Sequence, residues 1–291
     1  MKRTKILVTG LSGFIGSRFR QLSKHKYSLT GFPHDRKKSV TDRKFVFDLI
    51  GNSNADVVLH LAAKTHIDRC EADRTLGEKG NTWLVNVFGT DNIALACAKY
   101  NKHLIFLSTE CVFDGKNNWY KETDESNPVN WYGETKLKGE EAVKKSGAKY
   151  CILRSTLAYG HPRQFPFDLF NFFLAKFKRG KEVRAVSDQQ LSITFIDDLI
   201  KALTVLIDNR AIGTYHYAGK DSISPYQFAY NIAKKLKTPQ LVKPISLIEY
   251  FGNNSKLRLK NATLSSSKIK KEFNLDPSDL HKAIGTILKK I

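Results

Sequence analysis

Lys5-Ile6-Leu7-Val8-Thr9-Gly10-Leu11-Ser12-Gly13-Phe14-Ile15-Gly16 decides the fold: an apolar strand runs into a glycine turn, and a helical pattern begins at once. Gly10 permits the tight turn, Gly13 lets backbone amides approach a pyrophosphate, and Gly16 lets the helix pack close to the sheet. The helix N-terminus adds unpaired N–H groups and a partial positive charge that favour an anion. The spacing is GxxGxxG rather than GxGxxG, so position carries the assignment. A glycine turn at the first strand-to-helix junction is where doubly wound sheets hold dinucleotides. Gly10, Ser12, Gly13, Phe14, Ile15 and Gly16 form the candidate cradle.

Outward from this turn, apolar strands alternate with helical patterns, which predicts parallel βαβ units and an α/β doubly wound sheet. Strands are expected at Lys5 to Thr9, Tyr27 to Phe32, Lys44 to Phe47, Val57 to Leu61, His103 to Ser108 and Tyr150 to Arg154. Helices are expected near Phe14 to Ser23, Asn81 to Tyr100 and Trp131 to Ser146. After Gly160 the rhythm breaks into an aromatic helix (Phe167 to Phe177), a short strand, and a helix opened by Phe195-Ile196-Asp197-Asp198. A strand at Tyr215 to Tyr217 and a helix begun by Ser224-Pro225 follow, with serine as N-cap and proline at the first helical position.

The 291 residues, 41% of them hydrophobic, suffice to bury a core. No apolar run approaches the ~18 residues of a membrane span or forms a signal-peptide core, so a cytoplasmic protein with no membrane partner is expected. Cys70, Cys97, Cys111 and Cys151 form no CxxC pair and read as reduced packing thiols, and the histidines show no metal-ligand spacing. The formal charge of +20 would attract polyanions. The basic residues are nevertheless spread along the chain without an RNA-binding motif, so a lysine-rich solvated surface is the preferred reading over nucleic-acid binding. An anionic small substrate suits it equally.

Tyr132 and Lys136 stand four apart at the start of a predicted helix, which puts both side chains on one face. An ammonium beside a phenol favours the phenolate and lowers its pKa, so the tyrosine can exchange a proton with a carbonyl or alcohol oxygen. The pair alone arises often by chance. Its weight comes from lying after the expected fifth strand, whose carboxyl end carries Ser108-Thr109 at the edge where open α/β sheets bind ligands. Thr109 completes a three-residue catalytic candidate as a hydrogen-bond donor to the same oxygen.

TGxxGxxG, His60-Leu61-Ala62-Ala63, Asn86-Val87-Phe88-Gly89-Thr90, Ser108-Thr109-Glu110-Cys111-Val112-Phe113-Asp114-Gly115 and Tyr132-Gly133-Glu134-Thr135-Lys136 resemble, in order, the extended short-chain dehydrogenase/reductases. Among these, Val112-Phe113-Asp114-Gly115, the segment Tyr132 to Glu140 and Leu153-Arg154-Ser155-Thr156-Leu157-Ala158-Tyr159-Gly160 are most similar to dTDP-4-dehydrorhamnose reductases. The resemblance covers roughly the first 200 residues well and the remainder weakly, through Arg258 to Leu264. It implies a Rossmann-type domain (1–157 and 188–212) for the coenzyme and a smaller interleaved lobe (158–187 and 213–291) for a nucleotide sugar. The implied reaction is NAD(P)H-dependent reduction of a 4-keto group. It assigns Thr109, Tyr132 and Lys136 to catalysis, and Asp48, Leu49, Leu61, Ala62, Ala63, Asn86 and Ser108, with Tyr132 and Lys136, to the coenzyme. Thr65, Ile67, Thr109, Glu110, Tyr132, Leu157 and Arg258 are the implied substrate contacts. A homodimer is compatible with this reading.

Three departures bear on the sugar. The rhamnose reductases usually have Trp where Leu157 stands, Asp where Glu110 stands, and Pro within the segment Leu191-Ser192-Ile193-Thr194. Two other classes use the fold: a nucleotide-sugar epimerase that recycles NAD, and a non-catalytic coenzyme-binding regulatory subunit. Dehydratase relatives carry Asp-Glu after the threonine, where this chain has Glu110-Cys111. In fucose-synthesising relatives the acid/base cysteine stands one position before Cys111, which therefore reads as packing. The intact Tyr/Lys pair argues for activity.

The second strand ends Gly31-Phe32-Pro33-His34 with no acid where an NAD-selective fold grips the ribose, and Arg36, Lys37 and Lys38 follow within reach of a 2′-phosphate. Asp35 is the contrary sign. NADP(H) is the expected coenzyme, with NAD(H) as the second choice. NADPH should be used at least as well as NADH, and Arg36→Ala should selectively raise the KM for NADPH; a kcat/KM ratio favouring NADH, unmoved by the substitution, would show the basic loop to be plain surface.

Overall fold

Ile6, Leu7 and Val8 have no solvent exposure, the pattern of a strand covered on both faces. This strand, β1 (Lys5–Thr9), opens a computed structural model that describes residues 3–33, 39–160 and 168–290. Asp35, Arg36, Lys37 and Lys38, and the expected helix start at Phe167, lie outside the described residues. Next come α1 (Phe14–Ser23), β2 (Ser28–Gly31), α2 (Arg43–Asn52), β3 (Val57–His60), α3 (Ile67–Ala72) and α4 (Asn81–Trp83). A π-helical turn (Leu84–Phe88) leads into α5 (Gly89–Lys99), then β4 (His103–Thr109), α6 (Trp131–Lys145) and β5 (Tyr150–Ser155).

β1 pairs in parallel with β2 on one side and β3 on the other, and β3 pairs in parallel with β4. The six-stranded sheet runs in the order Gly213–Tyr217, β5, β4, β3, β1, β2. The chain steps from β1 to β2 in one direction and then crosses to β3 in the other. The order therefore reverses between β1 and β3, and the carboxyl ends of these two strands form the switch-point crevice of the doubly wound sheet. The register sets Thr9 opposite His60 there.

One expected strand is a helix. Phe45-Val46-Phe47 reads as a β run, but Asp42 caps α2 by accepting from the Phe45 amide at 2.9 Å, and Lys44 pairs with Asp48 one turn on at 2.6 Å. Val46 and Ile50, four apart, bury one helical face in the core cluster that also holds Val58, Ile93 and Leu104. Local capping and a helical apolar stripe outweigh β propensity here. Ser108-Thr109 consequently ends the fourth strand, and Asp48 and Leu49 sit inside a helix.

The chain divides into two compact units: Met1–Val112, Ser126–Arg154 and Ile200–Tyr215 form one, and Phe113–Glu125, Ser155–Leu199 and His216–Ile291 the other. Compared with the sequence-based division, 113–125, 155–157 and 188–199 fall in the second unit and 213–215 in the first. That unit buries Tyr159, Phe170, Phe173 and Phe228 in one aromatic cluster. Its helix Pro225–Lys235 begins as expected, with Ser224 and Gln227 forming a reciprocal capping box and Pro225 at the first position. The four cysteines are buried thiols that form no disulfide. Among the described residues no helix is long and apolar enough to cross a membrane.

Behind the end of β4, Arg154 donates from Nε and Nη2 to the two oxygens of Glu140 at 2.9 and 2.7 Å, and Ser108 donates to Oε1 at 2.6 Å. Both charged side chains are almost wholly buried. Breaking such a pair strands a charge, whereas removing both partners is often nearly neutral. Arg154→Leu should destabilise the protein by about 3–5 kcal/mol, read as a fall in the urea midpoint. The double variant Glu140→Leu/Arg154→Leu should recover part of that loss, and a double variant worse than the single would show that the pair is a net stabiliser.

Candidate active site

The turn after β1 is built as its glycines require. Gly10 has φ +68°, and a Cβ there would lie 2.9 Å from the Ala62 amide nitrogen. A Cβ on Gly16 would overlap the Gly10 carbonyl oxygen, so α1 can approach the turn only with glycine at that place. Gly13 is the N-cap of α1, has no side chain to cap the first-turn amides, and is followed by no acid in that turn. A positive helix end with its first-turn N–H groups thus stands beside Ser12, Phe14 and Ile15, which fits a pyrophosphate.

A chain of buried polar groups ties this turn to α6. The Leu61 and Ala62 amides both donate to Thr9 Oγ1 at 3.1 Å, and Thr9 Oγ1 lies 2.6 Å from His60 Nδ1. His60 Nε2 meets Thr90 Oγ1 at 3.0 Å, and Thr90 donates to the Asn86 carbonyl at 2.7 Å. Since Thr90 spends its proton on Asn86, the imidazole carries its hydrogen on Nε2 and accepts from Thr9 at Nδ1. The Asn86 side chain accepts from the Lys64 amide at 2.8 Å, and donates to the Lys64 carbonyl at 2.9 Å and to Thr135 Oγ1 at 3.1 Å. Thr135 donates to the Tyr132 carbonyl at 3.0 Å, which completes the chain on α6. Burial, with the nearby Lys136 charge, pulls the His60 pKa down to about 3, so the ring is neutral in the folded protein.

Tyr132 and Lys136 occupy the first two turns of α6, whose N-cap Asn130 accepts from the Gly133 amide at 2.8 Å. Thr109 ends β4 with its hydroxyl donating to Glu110 Oε2 at 2.8 Å and accepting from the Cys111 amide at 3.2 Å. Lys136 is buried; its Nζ donates to the Leu107 carbonyl at 2.8 Å and lies 3.9 Å from the Phe106 ring centre. Burial pulls this amine down to about 7, with Glu140 acting in the opposite sense.

The expected lowering of the Tyr132 phenol by Lys136 is not what the structure shows. Burial, followed by the Cys111 and Glu110 charges, raises Tyr132 well above the ordinary phenol value, with the Thr109 hydroxyl acting in the opposite sense. The amine is directed at a backbone carbonyl, so desolvation dominates. The phenol is therefore held protonated, the state from which a proton donor starts. Burial likewise raises the Glu110 carboxyl to about 7 against its hydrogen bonds.

The remaining candidates separate. Leu61, Ala62, Ala63 and Asn86 stand beside the turn, and Ser108 is turned into the Glu140 pair. Thr65 is exposed and Ile67 half-buried at the start of α3. Asp48 is exposed and paired with Lys44, while Leu49 packs on the core of the same unit. Leu157 and Arg258 belong to the second unit, where a cavity of about 370 Å³ is lined by Leu157, Phe172, Arg184, Tyr250 and Phe251 among others. The Arg258 guanidinium stacks 4.4 Å from the Phe251 ring centre. Phe172, Arg184, Tyr250 and Phe251 are invisible to sequence reasoning, because no motif marks them. The polar roles of Thr9 and Thr90 leave a weaker trace, since both lie within quoted motifs.

The RmlD substrate binding domain family model matches residues 4–291. Similar proteins include the dTDP-4-dehydrorhamnose reductase of Aggregatibacter actinomycetemcomitans, 28% identical over 97% of this chain and 98% of that protein. The spore coat polysaccharide biosynthesis protein SpsK of Bacillus subtilis is 30% identical over 87% of this chain and 86% of its own. Methionine adenosyltransferase 2 subunit beta of Rattus norvegicus is 29% identical over 91% and 81%. Among solved structures, dTDP-4-dehydrorhamnose reductase from Bacillus anthracis in complex with NADP superposes with a TM-score of 0.90 and 26% identity, covering 100% of both chains.

The depressed His60 pKa makes a stability prediction of fixed sign. Above about 6.5, the ordinary value, the ring is neutral folded or unfolded and costs nothing. As pH falls from there toward 3, the unfolded chain takes up a proton that the folded one refuses, and stability declines by up to about 1.4 kcal/mol per pH unit from this residue. His60→Gln should be less stable at pH 8 yet lose less on acidification, seen in urea titrations at pH 8 and pH 5. Parallel losses in both proteins would assign the acid sensitivity elsewhere.

Proposed function

The chain belongs to the RmlD substrate binding domain family, and on that premise we propose that it is an NADPH-dependent reductase acting on the 4-keto group of a nucleotide-linked 6-deoxy sugar. The observation that supports this reading is Thr109 at the carboxyl end of β4 and Tyr132 and Lys136 on the first two turns of α6, with Lys136 Nζ donating to the Leu107 carbonyl of β4 at 2.8 Å. A full-length likeness to dTDP-4-dehydrorhamnose reductases, one of them in complex with NADP, supports both the reaction class and the coenzyme, with NAD(H) as a second choice.

In this reading Gly10, Ser12, Gly13, Phe14, Ile15 and Gly16 hold the pyrophosphate at the end of α1. Leu61, Ala62, Ala63 and Asn86 line the coenzyme, and Arg36 meets its 2′-phosphate. The bound reduced nicotinamide supplies a hydride. Tyr132 gives its phenolic proton to the substrate oxygen, and Thr109 donates a hydrogen bond to it as negative charge develops. Lys136 presents its amine on the same face of α6, braced by the Leu107 carbonyl. The aromatic cavity of the second unit is the candidate nucleotide site: Phe172, Tyr250 and Phe251 offer faces for a base, and Arg184 and Arg258 offer charge for a diphosphate. Leu157 and Glu110, the residues that depart from the rhamnose reductases, bear on which sugar is accepted.

A second reading is supported by the methionine adenosyltransferase 2 subunit beta relatives: a regulatory subunit that binds coenzyme and alters the activity of a partner. Mixing the pure protein with NADPH and a panel of 4-keto-6-deoxyhexose nucleotides distinguishes the two. Stoichiometric loss of NADPH absorbance with a matching product mass is expected, and Tyr132→Phe should lower kcat by about 10²–10⁴-fold with coenzyme affinity nearly unchanged. Tight NADPH binding without consumption for any sugar, together with altered activity of an added methionine adenosyltransferase, would favour the regulatory subunit. Interconversion of two sugars with no net coenzyme loss would indicate an epimerase.

A further inference from the structure

We propose that a cavity at the amino-terminal edge of the first unit's sheet binds a small phosphate monoester, held by Lys102, Lys149 and Arg210 and hydrogen-bonded to His103. His103 opens β4 and Thr109 closes it, so the two stand at opposite ends of one strand. The site is therefore separate from the candidate active site and does not depend on the reductase reading. The cavity measures about 460 Å³, within the range of roughly 300–1,000 Å³ typical of small-molecule sites. Its walls come from the segments that lead into the strands: Asp56 before β3, Lys102 and His103 at the start of β4, and Lys149 before β5. Arg210 and Ile212, just before the strand Gly213–Tyr217, complete them.

Two observations point to an anion there. The first is charge: three cations share the lining with a single carboxylate, Asp56, whose Oδ2 accepts from the Lys5 amide at 3.2 Å. Lys102 donates to the Ser53 carbonyl at 3.0 Å and Arg210 to the Asp56 carbonyl at 2.9 Å. These bonds hold the two side chains in place and leave each with further N–H donors. The second observation is His103, only 5% exposed, whose Nε2 meets the Ala211 carbonyl at 3.0 Å and so carries a hydrogen. Its Nδ1 is buried with no hydrogen-bond partner among the described residues. A buried polar atom left unpaired is costly, and a bound group that pairs with it recovers the loss. The charged groups around the ring are Lys102 on its own segment, Asp56, Lys149 and Arg210. Burial holds the ring below the ordinary histidine pKa, against the Ala211 hydrogen bond, and the Arg210 and Lys149 charges act with burial. Protonation turns Nδ1 into a donor, and a phosphate dianion accepts that hydrogen bond while offsetting the two repelling cations. Anion and proton therefore favour each other's binding. Ile212, 55% exposed, offers an apolar surface to the body of an ester, which bare phosphate lacks.

The test uses the full chain at constant ionic strength, with sulfate as a dianion whose charge is the same at pH 5 and pH 8. Sulfate should bind saturably, and the His103 ring signals in NMR spectra, assigned with His103→Gln, should report a pKa raised by about one unit in the bound protein. By linkage, sulfate affinity should then be up to about tenfold higher at pH 5 than at pH 8. Lys149→Gln should weaken sulfate binding about tenfold and shrink the His103 shift. Lys181→Gln, which removes an equal charge in the second unit, should change neither. Titrations of inorganic phosphate, glucose 1-phosphate and thymidine monophosphate, each read at His103, should show at least one ester bound more tightly than phosphate itself. Absence of saturation, equal weakening by the two lysine variants, binding confined to a polyanion such as heparin, or saturation without a His103 shift overturns the site. Phosphate bound as tightly as every ester overturns the ester assignment.

Discussion

The short contact between Thr9 and His60 at the switch point is the constraint on which the rest of the first unit depends. Two adjacent strand ends must diverge there to leave a crevice, which exposes the backbone amides that would otherwise continue the sheet. Thr9 captures two of those amides, His60 closes against Thr9, and Thr90 and Asn86 carry the same chain of hydrogen bonds to α6. The glycine turn after β1 and helix α6 therefore share one buried polar frame. A frame of this kind is stable only when every member is satisfied, since a single unpaired group in so dry a place costs about 1–3 kcal/mol.

The same dryness sets the proton chemistry. Four groups in this region leave their ordinary titration ranges in the direction that burial dictates, with the neutral form favoured in each. His60 and Lys136 move down, and Glu110 and Tyr132 move up. The consequence is a division of labour: His60 is kept neutral and serves the architecture, Tyr132 is kept protonated and able to give a proton, and Glu110 and Lys136 are tuned near neutrality. The fully paired Glu140–Arg154 couple next to it shows the alternative, in which charges are retained because each has an opposite partner.

The overall charge of +20 does not gather into this machinery. In the second unit Arg184 lines the cavity, and the Arg258 guanidinium stacks on Phe251, another of its lining residues. An anionic ligand of amphipathic build suits such a lining better than a polyanion, which would engage a broad solvated surface instead.

Local order along the chain is enough to read the strand-turn-helix at Lys5 to Ser23, the Tyr132/Lys136 spacing, the Ser224 cap and the alternating rhythm of the sheet, because each depends on neighbours a few residues apart. It misreads Lys44 to Phe47 because a three-residue apolar run is compatible with either period, and the helical stripe that continues to Ile50 decides the matter only in the packed core. It also makes Lys136 the group that lowers Tyr132, whereas tertiary packing aims the amine at Leu107 and lets desolvation govern the phenol. The Thr9–His60–Thr90–Asn86 frame and the Phe172, Arg184, Tyr250 and Phe251 lining join residues far apart in sequence. Spacing fixes which side chains share a face of one element; which faces meet, and how much water is left between them, is settled only when the chain has folded.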